Sequence, residues 1–154
     1  FWDIGAALGV FSILSKKCNP SSTVISIEPY WVRRWILKIN TLFTNKLNVK
    51  NLFVSNIDSN KQIRLSTLSE RLNHIPDIMK MDIEGAEYDV ISNLKITNVR
   101  PKQILVEFHH RFLSDGVNKT KLAVYQLRSL GYRLFYVSPN GEEYSFIYDP
   151  YKKL

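Results

Sequence analysis

Short β-rich runs alternate with helical patterns along this chain, and this alternation constrains the fold more than any other feature. The sequence predicts five strands, over residues 1–5, 23–27, 49–54, 78–83 and 103–108. Residues 62–65 suggest a further short edge strand. Apolar residues at helical spacing predict helices over residues 9–17, 30–43, 67–72, 86–94 and 119–130. Repeated strand–helix units favour a mostly parallel sheet with helices on both faces.

The C-terminal part of the pattern predicts a hairpin. Gly131 lies where a glycine ends a helix, and residues 133–137 and 144–148 flank the turn sequence Pro139-Asn140-Gly141. We therefore expect an α/β fold of about seven strands with an antiparallel hairpin at the C-terminal edge. Its 154 residues match one domain over 1–154. Only two residues precede Asp3 in the first strand, so we expect an N-terminally truncated fragment.

Composition excludes several classes of protein. Eight Phe, eight Tyr and three Trp are too many for a disordered chain, and no apolar run approaches the roughly 20 residues of a membrane helix. The single cysteine, Cys18, allows neither an intrachain disulfide nor a cysteine-based zinc site. Without a signal segment, a cytoplasmic location is expected.

The net charge of +7 suggests anionic partners without naming one. Three basic residues on the second predicted helix, Arg33, Arg34 and Lys38, are interleaved with Trp31 and Trp35. At helical spacing the two tryptophans indicate packing rather than base stacking, and the charges indicate a solvated face. No nucleic-acid partner is expected.

The first motif is a glycine turn after the first strand, Asp3-Ile4-Gly5-Ala6-Ala7-Leu8-Gly9. Glycine lets the backbone turn sharply and approach a ligand, and the following helix offers free N–H groups. The dinucleotide fingerprint needs a glycine where this chain has Asp3, which disfavours a nicotinamide cofactor. A tight turn without a ligand is the alternative.

Glu28 ends the second predicted strand, between Ile27 and Pro29. Ligands of open parallel sheets bind beyond the carboxyl ends of the strands. A carboxylate at that place can accept both hydroxyls of a ribose, and the alternative is an exposed turn carboxylate.

The fourth predicted strand carries polar residues toward its carboxyl end. In strand geometry Lys80, Asp82 and Glu84 share one face, where chemistry would take place. We predict that Asp82 is functional. Glu87 falls in the first turn of the next helix, where a negative charge suits the helix dipole, so a structural role is favoured.

Glu107 and His109 share a face at the end of the fifth predicted strand. His109 is a candidate general base because histidine titrates near neutrality, and a hydrogen-bonded histidine at the rim of a cleft is the alternative. A divalent metal held with Asp82 would need at least three converging ligands, and we expect none. His74 is expected at the surface.

Taken in order, these motifs resemble those of the FkbM-type methyltransferases, which are similar to other S-adenosylmethionine-dependent methyltransferases with a Rossmann-like sheet. The resemblance covers residues 1–148, and its most specific part is residues 80–87. Where the family often has Leu-Asp, this chain has Leu68-Ser69.

The resemblance implies a role for each matching residue. Gly5 and Gly9, with Asp3 beside them, would line the methionine part of S-adenosylmethionine, and Glu28 would hold its ribose. Ile57 and Asp58 lie where such enzymes contact the adenine, and Asn40 matches a structural asparagine. Asp82 would lie beside the transferred methyl group.

The function implied is an S-adenosylmethionine-dependent methyltransferase acting on a hydroxyl of a small molecule or glycan. Asp82 would orient the acceptor and His109 would remove its proton without a metal. A non-catalytic Rossmann-like binding domain is the main alternative, and a nicotinamide-dependent oxidoreductase is disfavoured. The sequence leaves the acceptor and the oligomeric state open.

Overall fold

The computed structural model describes residues 1–44, 47–149 and 151. The predicted domain extends to residue 154, so its last three residues, with residues 45–46 and 150, lie outside the described residues. The strands within the described part are β1 (Trp2–Ile4), β2 (Val24–Ile27), β3 (Leu47–Lys50), β4 (Phe53–Val54), β5 (Gln62–Ile63), β6 (Ile78–Met81), β7 (Gln103–Glu107), β8 (Tyr132–Val137) and β9 (Glu143–Tyr148).

Helices connect these strands, as the periodicity predicts. They are α1 (Val10–Cys18), α2 (Trp31–Asn40), α3 (Leu65–Leu72), α4 (Glu87–Asn93) and α5 (Gly116–Ser129), with 3-10 turns over Leu94–Ile96 and His110–Phe112. None of the helices in the described part of the chain is long and apolar enough to span a bilayer.

Seven strands form one sheet in the order β3-β2-β1-β6-β7-β9-β8. The first five of these are parallel, while β9 is antiparallel to both β7 and β8. β1 is central, because Trp2 lies between Ile25 of β2 and Met79 of β6. The predicted α/β class, the strand number and the antiparallel C-terminal hairpin are confirmed.

The core lies along the central strands. Every residue of β1 and β2 is buried, so both faces of the sheet are covered there. In β6 and β7 buried and partly exposed residues alternate, so one face is packed more completely than the other. The largest fully buried side chains include Trp2, Phe108 and Phe146. The carboxyl ends of β1, β2, β6 and β7 therefore rest on a rigid base.

The single strand predicted over residues 49–54 is divided in the structure. β3 ends at Lys50, and Asn51 then accepts a hydrogen bond of 2.6 Å from Arg34 Nη1. Phe53 pairs instead with Gln62, so β4 and β5 form a separate two-stranded ribbon. The polar residues Lys50 and Asn51 interrupt the apolar residues at this break, a signal that the prediction of one strand did not take into account.

The strand predicted over residues 78–83 ends at Met81. The Asp82 N–H still bonds the carbonyl of Ile4 at 3.0 Å, but the next N–H, of Ile83, donates to Glu87 Oε1 at 2.9 Å. Glu84 then has a left-handed φ of 56°. The predicted shared strand face therefore does not extend to Glu84, and this turn directs the chain toward α4.

Candidate functional site

A cavity of about 420 Å³ opens at the carboxyl ends of β1, β2 and β6. This is the edge of the sheet where open parallel folds bind ligands, and the volume suits a small organic molecule. The cavity is lined by Gly5, Ala7, Leu8, Glu28, Pro29, Tyr30, Arg33, Phe53, Asp82, Ile83 and Glu84.

The two glycines of the turn have different roles. Gly5 lines the cavity at φ 78°, and a Cβ there would lie 1.8 Å from the carbonyl oxygen of Asp82. Gly9 has φ 86°, and its Cβ would lie 2.2 Å from Leu37 Cδ1 of α2. Both positions require glycine. Gly5 lets two strand ends meet, whereas Gly9 lets α1 approach α2 and does not line the cavity.

Asp3 is fully buried beneath the cavity rather than exposed in it. Its Oδ2 accepts a hydrogen bond of 2.6 Å from the Ser12 hydroxyl, which also lies 2.7 Å from the Ser26 hydroxyl. Lys80 Nζ is 3.6 Å from the other oxygen of Asp3. Asp3 thus links β1 to α1, β2 and β6, and its partners are protein side chains rather than the space of the cavity.

The Glu28 carboxylate is held by the backbone on both sides. Its Oε2 accepts from the Ala7 N–H at 2.9 Å, and its Oε1 accepts from the Tyr30 N–H at 2.8 Å. A carboxylate has about four acceptor positions, so each oxygen retains capacity for a further donor. Glu28 therefore fixes the glycine turn and still offers acceptors at the cavity wall.

Asp58 lies between β4 and β5 and does not line the cavity. Its carboxylate accepts hydrogen bonds from the backbone N–H and Nε of Arg64 and from the Thr67 hydroxyl. The backbone hydrogen bond from Arg64, assisted by the Arg64 and Thr67 side chains, lowers the pKa of this carboxyl. Among the residues that line the cavity, Phe53 is the nearest to Asp58 in sequence. Its ring contacts the Tyr30 ring edge-to-face, with 5.6 Å between the ring centroids.

Asp82 faces two neighbours with its two oxygens. Oδ2 accepts from Lys80 Nζ at 3.4 Å, while Oδ1 lies 3.6 Å from His109 Nε2. The side chain also lines the cavity. Asp82 thus connects the cavity with a second group of polar residues at the end of β7.

His109 is buried, with 6% of its surface exposed, and Glu87 holds its orientation. His109 Nδ1 lies 2.9 Å from Glu87 Oε1. A carboxylate only accepts hydrogen bonds, so Nδ1 carries the hydrogen in this pair. The other nitrogen, Nε2, faces three carboxylates: Asp82 at 3.6 Å, Glu84 at 3.7 Å and Glu107 at 4.0 Å.

Glu107 completes this polar group from the end of β7. Burial and the negative charge of Asp82 raise the pKa of the Glu107 carboxyl, although His109 acts in the opposite direction. One ligand atom from each of Asp82, Glu107 and His109 lies within 4.8 Å of the other two. β6 and β7 are adjacent, with Met81 opposite Val106. We call Asp82, Glu107 and His109 the carboxylate–histidine cluster.

Sequence reasoning placed Glu87 in a structural role at a helix start and missed its contact with His109. The signal was present, because Glu87 precedes Val90 and Ile91 by three and four residues, on the apolar stripe of α4. Glu87 is fully buried, and its second oxygen, Oε2, has no partner within the described residues. A charged residue on a buried stripe needs a local partner, and here the partners are His109 and the Ile83 N–H.

The chain is similar in sequence to one known family. A family model described as the methyltransferase FkbM domain matches residues 40–134, more than half of the chain. No curated protein matches.

Solved structures share the fold at low sequence identity. The methyltransferase FkbM of Methylobacillus flagellatus KT superposes with a TM-score of 0.67 at 20% identity, covering 96% of this chain and 42% of that one. Fibrillarin of Aeropyrum pernix, with natively bound S-adenosyl-L-methionine, gives 0.62 at 12% identity, covering 95% and 64%. A putative caffeoyl-CoA O-methyltransferase of Staphylococcus aureus gives 0.64 at 14%, covering 96% and 74%. This chain therefore spans less than half the length of the Methylobacillus protein.

Proposed function

Because the chain belongs to the FkbM methyltransferase family, we propose that it transfers a methyl group from S-adenosylmethionine to a hydroxyl of a small molecule or glycan. One observation carries the proposal: Asp82 belongs both to the cavity and to the carboxylate–histidine cluster. A donor bound in the cavity and an acceptor at the cluster would meet at this side chain.

The cavity suits the cofactor in volume and in chemistry. Glu28 offers carboxylate acceptors for two ribose hydroxyls, and Gly5 leaves the turn without a side chain. Tyr30 and Phe53 supply aromatic surface at the same wall, suited to a planar base. S-adenosylmethionine, when bound, supplies a methyl group on a positively charged sulfur. Asp58 remains a proposed adenine contact, which its present bonds to Arg64 and Thr67 would have to permit.

Methyl transfer to a hydroxyl demands orientation and loss of a proton. The acceptor oxygen must lie about 3–3.5 Å from the methyl carbon and in line with the bond to sulfur. A carbon–oxygen bond then forms as the carbon–sulfur bond breaks, and the hydroxyl proton leaves. We assign Asp82 to orienting the hydroxyl and His109 to assisting the loss of its proton, with Glu87 fixing the imidazole.

The cluster also favours an enzyme over a binding domain that has lost catalysis. Burial and the neighbouring Asp82 raise the pKa of Glu107, so its charged form is disfavoured in the folded chain. Converging ionisable side chains with a shifted pKa at the wall of a cavity are typical of catalytic sites, which supports an enzyme.

Calorimetric titration with S-adenosylmethionine and with its demethylated product tests the cofactor. We expect saturable heat with both ligands and none with a nicotinamide dinucleotide. Absence of heat with both, on a sample whose circular dichroism shows a folded protein, would refute the proposal. Transfer of a labelled methyl group to a panel of hydroxylated small molecules and glycans then tests the reaction.

A further inference from the structure

Among the residues that the structure describes, the charged groups within 4.0 Å of His109 Nε2 are carboxylates. With Nδ1 donating to Glu87, Nε2 of a neutral imidazole presents a lone pair, and the groups nearest to it are carboxylate oxygens. No hydrogen bond to Nε2 forms among the residues that the structure describes. A lone pair and negative oxygens repel one another at 3.6–4.0 Å unless something positive lies between them.

The nearby cations of the protein do not fill this place. Lys80 Nζ lies on Oδ2 of Asp82 and near Asp3, which leaves Oδ1 directed toward His109. Arg33 lies 3.8 Å from Glu84, and both side chains are about half exposed. Glu84 is therefore a rim residue, and the side chains that converge are Asp82, Glu107 and His109.

The distances suit a metal ion. Bonds of about 2.0–2.2 Å from one cation to nitrogen and oxygen ligands place neighbouring ligand atoms about 3–4 Å apart. His109 Nε2 is 3.6 Å from Asp82 Oδ1 and 4.0 Å from Glu107 Oε1. One imidazole and two carboxylates form a ligand set of nitrogen and oxygen that suits divalent cations.

Glu87 supplies the outer support that such a site requires. Metal-binding histidines usually donate their other ring N–H to a carboxylate, which fixes the tautomer and the ring orientation. The 2.9 Å contact between Glu87 and His109 Nδ1 has this geometry, and both side chains are at least nine-tenths buried.

We propose that Asp82, Glu107 and His109 bind a divalent cation, for which Mn²⁺ is a suitable probe, at the wall of the cavity. Its role in catalysis, though not the binding itself, rests on the proposed function. The cation would bind the acceptor oxygen and favour its deprotonated form. The sequence led us to expect that Asp82 and His109 act without a metal. With a cation bound, His109 would assist loss of the proton as a ligand of that cation.

The test measures Mn²⁺ binding to the chelator-treated chain. Electron paramagnetic resonance gives the concentration of Mn²⁺ that remains free. We expect saturable binding of one Mn²⁺ per chain. In Asp82→Asn and Glu107→Gln the affinity should fall at least about tenfold, since even loss of a group that only supports a metal ligand costs about 10–100-fold.

Two matched variants serve as controls. Asp77→Asn changes a carboxyl at the opposite end of β6, where it pairs with Lys102, and His74→Asn changes an exposed histidine. Both should retain wild-type affinity. Binding that is absent in a folded sample, or that is equal in wild type, Asp82→Asn and Glu107→Gln, would overturn the proposal.

Mn²⁺ binding needs neither the cofactor nor an acceptor, so the measurement stands apart from the proposed reaction. A chain that binds Mn²⁺ through the cluster but does not bind S-adenosylmethionine would retain the cation site and lose the methyltransferase proposal. A chain that binds S-adenosylmethionine but not Mn²⁺ would lose the cation site and retain the methyltransferase proposal.

Discussion

The carboxylates on the two sides of the site have different kinds of partner. On the first side, formed by β1, α1 and β2, Glu28 accepts from two backbone N–H groups and Asp3 accepts from the Ser12 hydroxyl. On the second side, formed by the ends of β6 and β7, Asp82 and Glu107 face each other and an imidazole nitrogen. On the first side hydrogen bonds from the protein fix both carboxylates before any ligand binds. The second side needs an added positive charge. Residues of the first side should therefore support the fold, and residues of the second side should cost stability for the sake of chemistry.

The largest effect is expected from His109→Ala on turnover. Losing a group that helps a hydroxyl lose its proton typically costs about 10²–10⁴-fold in rate. Initial rates of methyl transfer should fall by this order, while calorimetry shows cofactor affinity close to wild type. His74→Ala is the matched control and should keep full activity. A fully active His109→Ala would leave His109 as a rim residue only.

Glu28→Ala should produce the opposite pattern. Charge-assisted hydrogen bonds are each worth about 1.5–3 kcal/mol, so loss of two should weaken S-adenosylmethionine binding at least tenfold. Asp82→Ala should weaken it less, because in the proposed function Asp82 lies at the reacting end of the cofactor and does not hold its ribose. Glu28→Gln keeps the side-chain volume and separates lost acceptors from a displaced turn. Equal affinities in wild type and Glu28→Ala would show that this carboxylate does not hold the ribose.

Gly9→Ala tests whether the first side depends on close backbone packing. Its Cβ would lie 2.2 Å from Leu37 Cδ1, and overpacking of this kind typically costs about 1–3 kcal/mol. Gly141→Ala is the matched control, because Gly141 also has a left-handed φ of 73°, but a Cβ added there would meet no atom within 4 Å. In urea unfolding, Gly9→Ala should lose more stability than Gly141→Ala. Equal losses would mean that Leu37 moves aside.

Glu107→Gln should raise stability slightly, the reverse of a first-side variant. The folded chain raises the pKa of Glu107 through burial and Asp82, so the ionised form opposes folding above that pKa. In chelator at pH 7 the variant should melt at a higher temperature than wild type. The difference should shrink as the pH falls below the ordinary range of a glutamate, where Glu107 is neutral in both states. Added Mn²⁺ should favour wild type instead, by binding its folded form.

Strand and helix periodicity was sufficient to predict the sheet, because the alternation of β-rich and helical runs leaves few ways to connect parallel strands. The same rule brought Glu28, Asp82 and His109 to one edge, since each follows a strand of that sheet. The polar pair Lys50-Asn51 within residues 49–54 is a sequence signal for their division, whereas the hydrogen bond from Arg34 to Asn51 depends on the fold. The hydrogen bonds of Asp58 with Arg64 and Thr67 likewise depend on how its loop folds, which the sequence pattern does not show.

The pairing of β1 with β6 joins residues that are distant in sequence, with Trp2 opposite Met79 and the Gly5 turn against Asp82. Contacts of such long sequence separation form slowly, because the entropy of closing the intervening chain must be lost before they contribute any stability. Until β6 pairs with β1, the glycine turn lacks Asp82, which lines the opposite wall of the cavity. Recovery of ligand binding during refolding would therefore require the pairing of β6 with β1.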